Sequence, residues 1–231
     1  WGRPAPVQAL QALADEFGLH LMYDAAHAFG SSLGGRRIGG FGACEVLSFH
    51  ATKLFNTFEG GAVLTDDDAL AETMRLMRNF GFKGYDNVIY PGTNGKMPEI
   101  NAAMGLVNLR AVGQFIAANQ SRYEAYRQAL SALDGLQLIQ YDPSNDPNYQ
   151  YVVVEVSQGA AIRDEIIGAL HAENILARRY FWPGCHRMLP YRDTHPHAGE
   201  FLPHTNALAE RVIVLPTGET LPEHTVEVVA E

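Results

Sequence analysis

Short apolar runs alternate with helix-like stretches along this sequence, and this alternation is the feature that most constrains its fold. The run 19–23 follows a helical pattern over residues 7–17. Two further runs, 45–49 and 60–65, precede a helical pattern that begins in the acidic stretch 66–68. Alternating strand and helix signals are typical of layered folds, because the apolar face of each sheet must be covered by another element. The sequence therefore predicts an α/β or α+β architecture.

A smaller α+β domain is predicted for the second half of the chain. A helical pattern extends from Pro98 to about Leu133, and a polar turn follows at 142–147. Beyond the turn, strands are predicted at 151–156, 176–181 and 212–215, and helices at 160–173, at 202–211 and in the final residues 225–231. We place the domain boundary inside the long helix, so that residues 1–125 form one domain and residues 126–231 the other.

Charge and composition argue against several classes of function. Asp and Glu outnumber Lys and Arg by 26 to 17, whereas a nucleic-acid-binding protein needs a basic face. The two cysteines, Cys44 and Cys185, lie far apart, which argues against a disulfide scaffold and favours a reducing cytoplasm. No apolar run approaches the ~20 residues that span a bilayer, and the N-terminus lacks both a signal-peptide pattern and an initiator Met. We therefore expect a cytoplasmic protein without membrane or nucleic-acid partners, and a sequence that is part of a longer one.

The first candidate site is the stretch 24–27, which holds Asp24 and His27. An Asp at the carboxyl end of a strand in an open α/β sheet lies where such sheets bind ligands. The alternative interpretation is structural, with Asp24 capping the next turn and His27 packed at the strand end. The pattern alone leaves both interpretations open.

The second candidate site is the stretch from Ser48 to Lys53. A lysine in a partly desolvated pocket has a lowered pKa and can form a Schiff base, whereas most lysines lie on surface loops. The five-residue separation does not match the Ser-x-x-Lys motif of penicillin-binding enzymes. The glycines near 30–42 and at 60–61 could approach a phosphate, but they match neither the P-loop nor the dinucleotide-binding fingerprint.

Histidines in the C-terminal half suggest a metal site only weakly. His186, His195, His197 and His204 lie in a proline-rich stretch, but no Cys or carboxylate stands at a strong metal-ligand spacing. We therefore expect no metal. The aromatic run 180–182 is compatible with core packing or with a wall for a base or sugar ring.

Four motifs, taken together, resemble those of one family. The motifs are Asp24–Gly30, Ser48–Lys53, Glu59–Gly61 and Gly92–Met97. In order and spacing they are similar to those of the DegT-type, pyridoxal-phosphate-dependent nucleotide-sugar aminotransferases, which have the aspartate-aminotransferase (type I) fold. The resemblance implies that residues 1–125 are the C-terminal portion of a cofactor-binding large domain with a mixed, mainly parallel sheet. It implies that residues 126–231 are the small α+β domain.

The resemblance assigns cofactor-binding roles to four residues of the two candidate sites. Lys53 matches the catalytic lysine that binds pyridoxal 5'-phosphate covalently and then moves a proton. Asp24 matches the carboxylate that pairs with the pyridine nitrogen of the cofactor. His27 stands at the position that lies against the cofactor ring and its phenolic oxygen, and Ser48 matches the hydroxyl that binds the phosphate.

The resemblance also implies a homodimer with shared active sites. Asn94 matches an asparagine that reaches the cofactor phosphate of the neighbouring subunit. His186 falls in a segment that contacts the substrate in relatives.

The implied activity moves an amino group from an amino acid, expected to be glutamate, to a keto group of a nucleotide-linked deoxysugar. Thr93, Gly95 and Lys96 replace an aromatic pair and an Arg of many relatives, and this variant is closer to enzymes that aminate C4 of a dTDP-4-keto-6-deoxyhexose. The part of the relatives that precedes the Asp24 strand, including a helix N-terminus that binds the phosphate, has no counterpart here. The alternative is therefore a truncated, non-catalytic chain of the same fold without competent cofactor binding.

Overall fold

The computed structural model describes residues 1–218, 220–222 and 224–231, which form two compact units. The first unit contains residues 1–116 together with 141–150, and the second contains residues 117–140 together with 151–231. The predicted domain boundary between residues 125 and 126 stays a prediction. The two units, which are defined by contacts within the chain, divide it differently. By contacts, residues 117–125 belong to the second unit, and residues 141–150 return to the first.

The first unit combines strands with helices. In chain order, its elements are α1 (Val7–Phe17), β1 (Met22–Asp24), β2 (Ser32–Leu33), β3 (Arg36–Arg37), β4 (Cys44–Ser48), β5 (Gly61–Leu64), α2 (Asp68–Arg78) and the N-terminal half of α3 (Glu99–Leu130). The short β2–β3 hairpin turns at the glycine pair Gly34–Gly35.

The main sheet of the first unit has the strand order β1–β4–β5. β1 and β4 are parallel, with Asp24 opposite Val46, whereas β4 and β5 are antiparallel, with Ser48 opposite Gly61. Because Asp24 and Ser48 are the last residues of two parallel neighbours, both lie at the same edge of the sheet. This is the edge at which open α/β sheets bind ligands.

The ends of α1 and α2 follow local sequence signals. Gly18, at φ 63°, ends α1 in the left-handed conformation that glycine adopts at little cost. At the start of α2, the Asp67 carboxylate accepts hydrogen bonds from the backbone N–H groups of Ala69 and Leu70 at 2.8 and 3.0 Å. This carboxylate pairs two donors that have no partner within the helix.

The core of the first unit lies directly under the loops that follow β1 and β4. Phe29 stacks on Phe55 with ring centroids 4.3 Å apart, and Phe49 meets Phe55 edge to face at 4.8 Å. Ala25 and Ala28 are buried in the same cluster. Burial of each large apolar side chain contributes about 1.5–3 kcal/mol, so both loops are attached to a well-packed base.

The second unit contains a separate antiparallel sheet. Its elements are the C-terminal half of α3, β6 (Leu136–Leu138), β7 (Val152–Val156), α4 (Ala160–Ala172), α5 (Tyr191–Thr194), α6 (Pro203–Ala209), β8 (Val212–Leu215) and α7 (Thr225–Ala230). The strand order is β6–β7–β8, and all four residues of β8 are buried. The two three-stranded sheets with their helices confirm the predicted α/β class, with a mixed sheet in the first unit.

One predicted strand is wrong. The segment 176–181 forms no strand, and only Arg178 pairs with Val214, through two backbone hydrogen bonds of 3.0 and 2.7 Å. The chain leaves the edge of β8 directly afterwards, because Trp182 N–H turns back to donate to the carbonyl oxygen of Arg179. A run of β-prone aromatic residues therefore lies in a turn.

Within the described part of the chain, none of the helices combines the length and the apolar character needed to cross a membrane.

Candidate active site

Asp24 is the last residue of β1, and its side chain has two neighbours of interest. Its Oδ1 accepts a hydrogen bond from the N–H of Ala26 at 3.0 Å, which is the turn-capping contact of the structural interpretation. The carboxylate also lies close enough to Lys53 for its charge to raise the pKa of that amine. The capping hydrogen bond therefore holds the Asp24 side chain at the sheet edge, where its negative charge still acts on the Lys53 amine.

Lys53 follows β4 in a tight turn. Its backbone N–H donates to the carbonyl oxygen of His50 at 2.9 Å, and its side chain is half-buried. Burial lowers the pKa of the Lys53 amine from the ordinary 10.5, and the Asp24 carboxylate opposes this shift. The neutral, nucleophilic form of the amine is therefore easier to reach than on a surface lysine.

His27 lies in the loop after β1 and is held in its neutral form. Burial lowers the pKa of His27 to about 4, and the positive charge of Lys53 adds to the shift, whereas Asp24 opposes it. An uncharged imidazole can lie against a ring or donate one hydrogen bond without adding a cation to the site.

Ser48 is the last residue of β4 and is half-buried. Its Oγ accepts a hydrogen bond from the N–H of His50 at 3.4 Å, which leaves the hydroxyl proton available to donate. The His50 ring lies between the Thr52 hydroxyl, 2.8 Å from Nδ1, and the Glu59 carboxylate, 3.5 Å from Nε2. These contacts hold the turn from Ser48 to Lys53 in place.

Gln150 is a residue of this site that the sequence did not single out. Its Oε1 accepts from the N–H of Leu54, next to Lys53, at 3.2 Å, while its buried Nε2 has no partner among the described residues. A buried donor without a partner costs about 1–3 kcal/mol, so an acceptor supplied by a bound group would stabilise this arrangement. No local pattern marks Gln150, because its partner lies 96 positions away.

Two further predicted site residues, Asn94 and His186, stay predictions, and their local contacts are as follows. Asn94 is exposed and pairs through its backbone with Asn79 beyond the end of α2; no contact in the described part of the chain joins it to Lys53. His186 lies in the second unit, half-buried in a short 3-10 turn, with its Nε2 2.8 Å from Oδ1 of Asn206.

Two of the remaining histidines of the weak metal hypothesis, His195 and His197, have other partners. Nδ1 of His195 is 2.9 Å from the Thr194 hydroxyl, and Nδ1 of His197 is 2.9 Å from Oε1 of Glu200. The described residues include no group of three or more His, Cys, Asp or Glu side chains placed to hold a metal ion.

The family follows from a comparison of the whole chain with known proteins. Residues 1–231 match the DegT/DnrJ/EryC1/StrS aminotransferase family. The chain belongs to this family. This match confirms the predicted family. The DegT/DnrJ/EryC1/StrS aminotransferases depend on pyridoxal phosphate.

Individual relatives within the family act on sugars. The dTDP-4-amino-4,6-dideoxy-D-glucose transaminase of Shigella dysenteriae is 35% identical over 219 residues, which are 94% of this chain and 59% of that protein. The dTDP-3-amino-3,4,6-trideoxy-alpha-D-glucose transaminase of Streptomyces venezuelae is 32% identical over 222 residues, covering 96% of this chain and 57% of that protein.

A solved structure of DesI in the presence of its TDP-sugar product has 46% sequence identity and a TM-score of 0.91, and the match covers 100% of this chain and 58% of that one. The chain thus spans less than two thirds of the length of each of these relatives.

The residues at the sheet edge fit the family's cofactor chemically. Pyridoxal phosphate offers an aldehyde, a ring nitrogen and a phosphate, and the site presents a half-buried amine, a carboxylate and a hydroxyl on Lys53, Asp24 and Ser48. The unpaired Nε2 of Gln150 is a further donor next to the Lys53 turn.

Proposed function

We propose that this chain carries the lysine-bearing part of a sugar aminotransferase. The enzyme would move an amino group from an amino acid, with glutamate as the proposed donor, to the C4 keto group of a dTDP-4-keto-6-deoxyhexose. One observation carries the proposal: a half-buried lysine, whose amine loses its proton more easily than usual, follows the sheet edge where Asp24 and Ser48 end adjacent parallel strands.

The residues of the sheet edge would divide the work as follows. Pyridoxal phosphate, when bound, accepts the electron pair released as the substrate carbon loses its proton. Lys53 would hold the cofactor through its amine and carry a proton between cofactor and substrate. Asp24 would keep a proton on the pyridine nitrogen, and the Ser48 hydroxyl would donate to the phosphate.

Support for the sugar class comes from the relatives. The Shigella dysenteriae protein and the Streptomyces venezuelae protein are both named as transaminases of dTDP-linked deoxysugars, one at C4 and the other at C3. We assign C4 because Thr93, Gly95 and Lys96 resemble the C4 variant. His186 would contact the substrate, with its ring held by Asn206.

A homodimer in the cytoplasm completes the proposal. Asn94 pairs with Asn79 just beyond α2 and is exposed in the single chain. A residue that contacts the cofactor of a neighbouring subunit must be exposed before the dimer forms. Cys44 and Cys185 are free thiols, which is typical of proteins in a reducing compartment.

Trapping the cofactor on lysine tests the proposal directly. The chain has three lysines, Lys53, Lys83 and Lys96, so peptide mapping assigns an adduct without ambiguity. After incubation with pyridoxal phosphate and reduction with borohydride, we expect one adduct, on Lys53. It should disappear in Lys53→Arg and persist in the matched control Lys83→Arg, because Lys83 is exposed. An adduct spread over all three lysines would contradict the proposal.

The alternative is a chain of this fold that binds no cofactor by itself, and it is favoured by the 57–59% coverage of the relatives. Phosphate donors that lie outside the matched part of a relative would then be missing from these 231 residues. A stoichiometric change in cofactor absorbance on mixing with this chain would exclude the alternative.

A further inference from the structure

The loops that carry His27 and Lys53 are both held by one short segment, residues 148–150, which lies about a hundred positions further along the chain. Asn148 contacts the first loop. Its Nδ2 donates to the carbonyl oxygens of His27 and Phe29 at 2.8 and 3.0 Å, and the residue is 0% exposed. One buried amide group thus spans the backbone on both sides of Ala28.

Gln150 contacts the second loop. Its Oε1 accepts from the N–H of Leu54, the residue directly after Lys53, at 3.2 Å. Gln150 is 9% exposed, so this hydrogen bond is shielded from water. Two side chains from one segment therefore fix the backbone beside the imidazole and beside the amine.

The segment is shaped for this double contact. Oδ1 of Asn148 accepts from the N–H of Gln150 at 3.0 Å, and Tyr149 between them has φ 53°. A tyrosine in the left-handed region is uncommon, because its Cβ crowds the backbone there. The Tyr149 ring meets Tyr141 edge to face at 5.2 Å, which supports this conformation.

The segment is anchored to the first unit independently of the two loops. The Ser32 hydroxyl donates to Oδ2 of Asp146 at 2.7 Å, and the N–H of Gly34 donates to Oδ1 of Asn145 at 3.0 Å. Residues 141–150 belong to the first unit although the chain on both sides of them belongs to the second. Residues 141–150 are thus held in the first unit by their contacts with residues 27–34 and with Leu54.

We propose that Asn148 and Gln150 are positioning residues, which hold the His27 loop and the Lys53 loop in one fixed arrangement. The role of these contacts in catalysis rests on the proposed function. The contacts that hold the two loops do not depend on it. Reactive groups act efficiently only when they are held in the productive geometry, and loops reach such precision only when other contacts support them.

The first experiment measures the His27 pKa by NMR titration of the 231-residue chain without cofactor, with the signal assigned by its loss in His27→Gln. Lys53, Asp24 and the Trp1 amino group are the charges that act on this imidazole. In Asn148→Ala the loop loses two hydrogen bonds and admits water. We expect the His27 midpoint to rise by about one unit or more from about 4, because burial is its largest cause.

Asn145→Ala is the matched control. It removes an asparagine three positions before the segment, together with its hydrogen bond to Gly34, but touches neither the His27 loop nor the Lys53 loop. The His27 midpoint should stay unchanged in this variant. An equal rise in both variants, or no rise in folded Asn148→Ala, would overturn the assignment of Asn148.

The second experiment keeps the proposal testable even where Asn148→Ala does not fold. Gln150→Met retains the size of the side chain but removes the acceptor for Leu54. The pH midpoint for chemical labelling of Lys53, measured by peptide mass spectrometry against Lys83 and Lys96, should rise by about half a unit or more as the amine becomes hydrated. An unchanged midpoint in the folded variant would overturn the assignment of Gln150.

Turnover measurements distinguish a positioning role of Asn148 from a role in stability alone. In the active enzyme, Asn148→Ala should lower kcat by about tenfold or more while the substrate KM changes little. A change in KM alone would contradict a positioning role. The two titrations need no cofactor, so they test the arrangement even where the borohydride experiment finds no adduct on Lys53.

Discussion

Lys53, Asp24 and His27 influence one another through charge as well as through position. Burial lowers the pKa of both Lys53 and His27, and the Asp24 carboxylate opposes both shifts. The site therefore combines an amine whose pKa lies below that of an ordinary lysine with an imidazole that is neutral near pH 7. A carboxylate at the end of β1 keeps one negative charge beside them.

Replacing Lys53 and Asp24 should affect turnover through different steps. Lys53→Ala removes the amine, which is the proposed proton carrier, so turnover should collapse. Asp24→Asn keeps the shape but not the negative charge, and proton removal from the substrate should slow by several powers of ten, at about 1.4 kcal/mol per tenfold. Steady-state and single-turnover rates measure both effects, with exposed Asp86→Asn as the control. Near-normal turnover in Asp24→Asn would show that its assigned role is wrong.

The lowered pKa of His27 should appear in the pH dependence of stability. Between about pH 6.5 and pH 4 the unfolded chain binds a proton on His27 that the folded chain does not, so stability falls as the pH falls through this range. Because His27 is only half-buried, the contribution is on the order of 1 kcal/mol after solvent screening. Urea unfolding at pH 7 and pH 4.5 should show a smaller loss in His27→Gln than in the parent, and exposed His20→Gln should behave as the parent does.

At the scale of single elements, a predicted helix or strand agrees with the structure when neighbouring residues alone define its ends. α1 has the predicted bounds, because its periodic apolar residues and Gly18 define both body and end. β1 begins at Met22 rather than at Leu19, because only residues 22–24 pair with β4. The strand predicted at 176–181 failed for the same reason, since pairing beyond Arg178 depends on a partner rather than on propensity.

The Asp67 cap offers a quantitative test of one element. Asp67→Ala removes the acceptor for two backbone N–H groups and should destabilise the protein by about 1 kcal/mol. Asp66→Ala is the matched control, since the Asp66 side chain is 88% exposed and only 4.0 Å from Arg36, a contact worth little. Urea denaturation of both variants measures the difference. Equal stability of the two would mean that the cap does not contribute to folding.

At the scale of the whole molecule, family membership and the site geometry predict that cofactor binding stabilises the folded chain. A ligand that binds only the folded chain stabilises it by about 2.7 kcal/mol at a concentration of 100 times its Kd. Pyridoxal phosphate should therefore raise the unfolding temperature of this chain. The shift should shrink in Lys53→Ala, and pyridoxal without the phosphate should produce less of it because Ser48 loses its partner. The absence of any shift would favour the alternative of a chain that binds no cofactor by itself.

The sequence by itself determined the layered class, most helix bounds, and the order and spacing of the motifs around Asp24, Ser48 and Lys53. These features are local, since periodicity, caps and motif spacing depend on neighbours within a few positions. The resemblance that these motifs carry was sufficient to predict the family.

Only the tertiary structure decided which groups face one another and how deeply they are buried. The contact of Asn148 with His27 spans 121 positions and that of Gln150 with Leu54 spans 96, so no local pattern could reveal either. The pKa of His27 depends on burial and on the charges of Lys53 and Asp24, which come together only after folding. Residue identity supplies the reactive groups of this site, and long-range packing sets their pKa values and their relative positions.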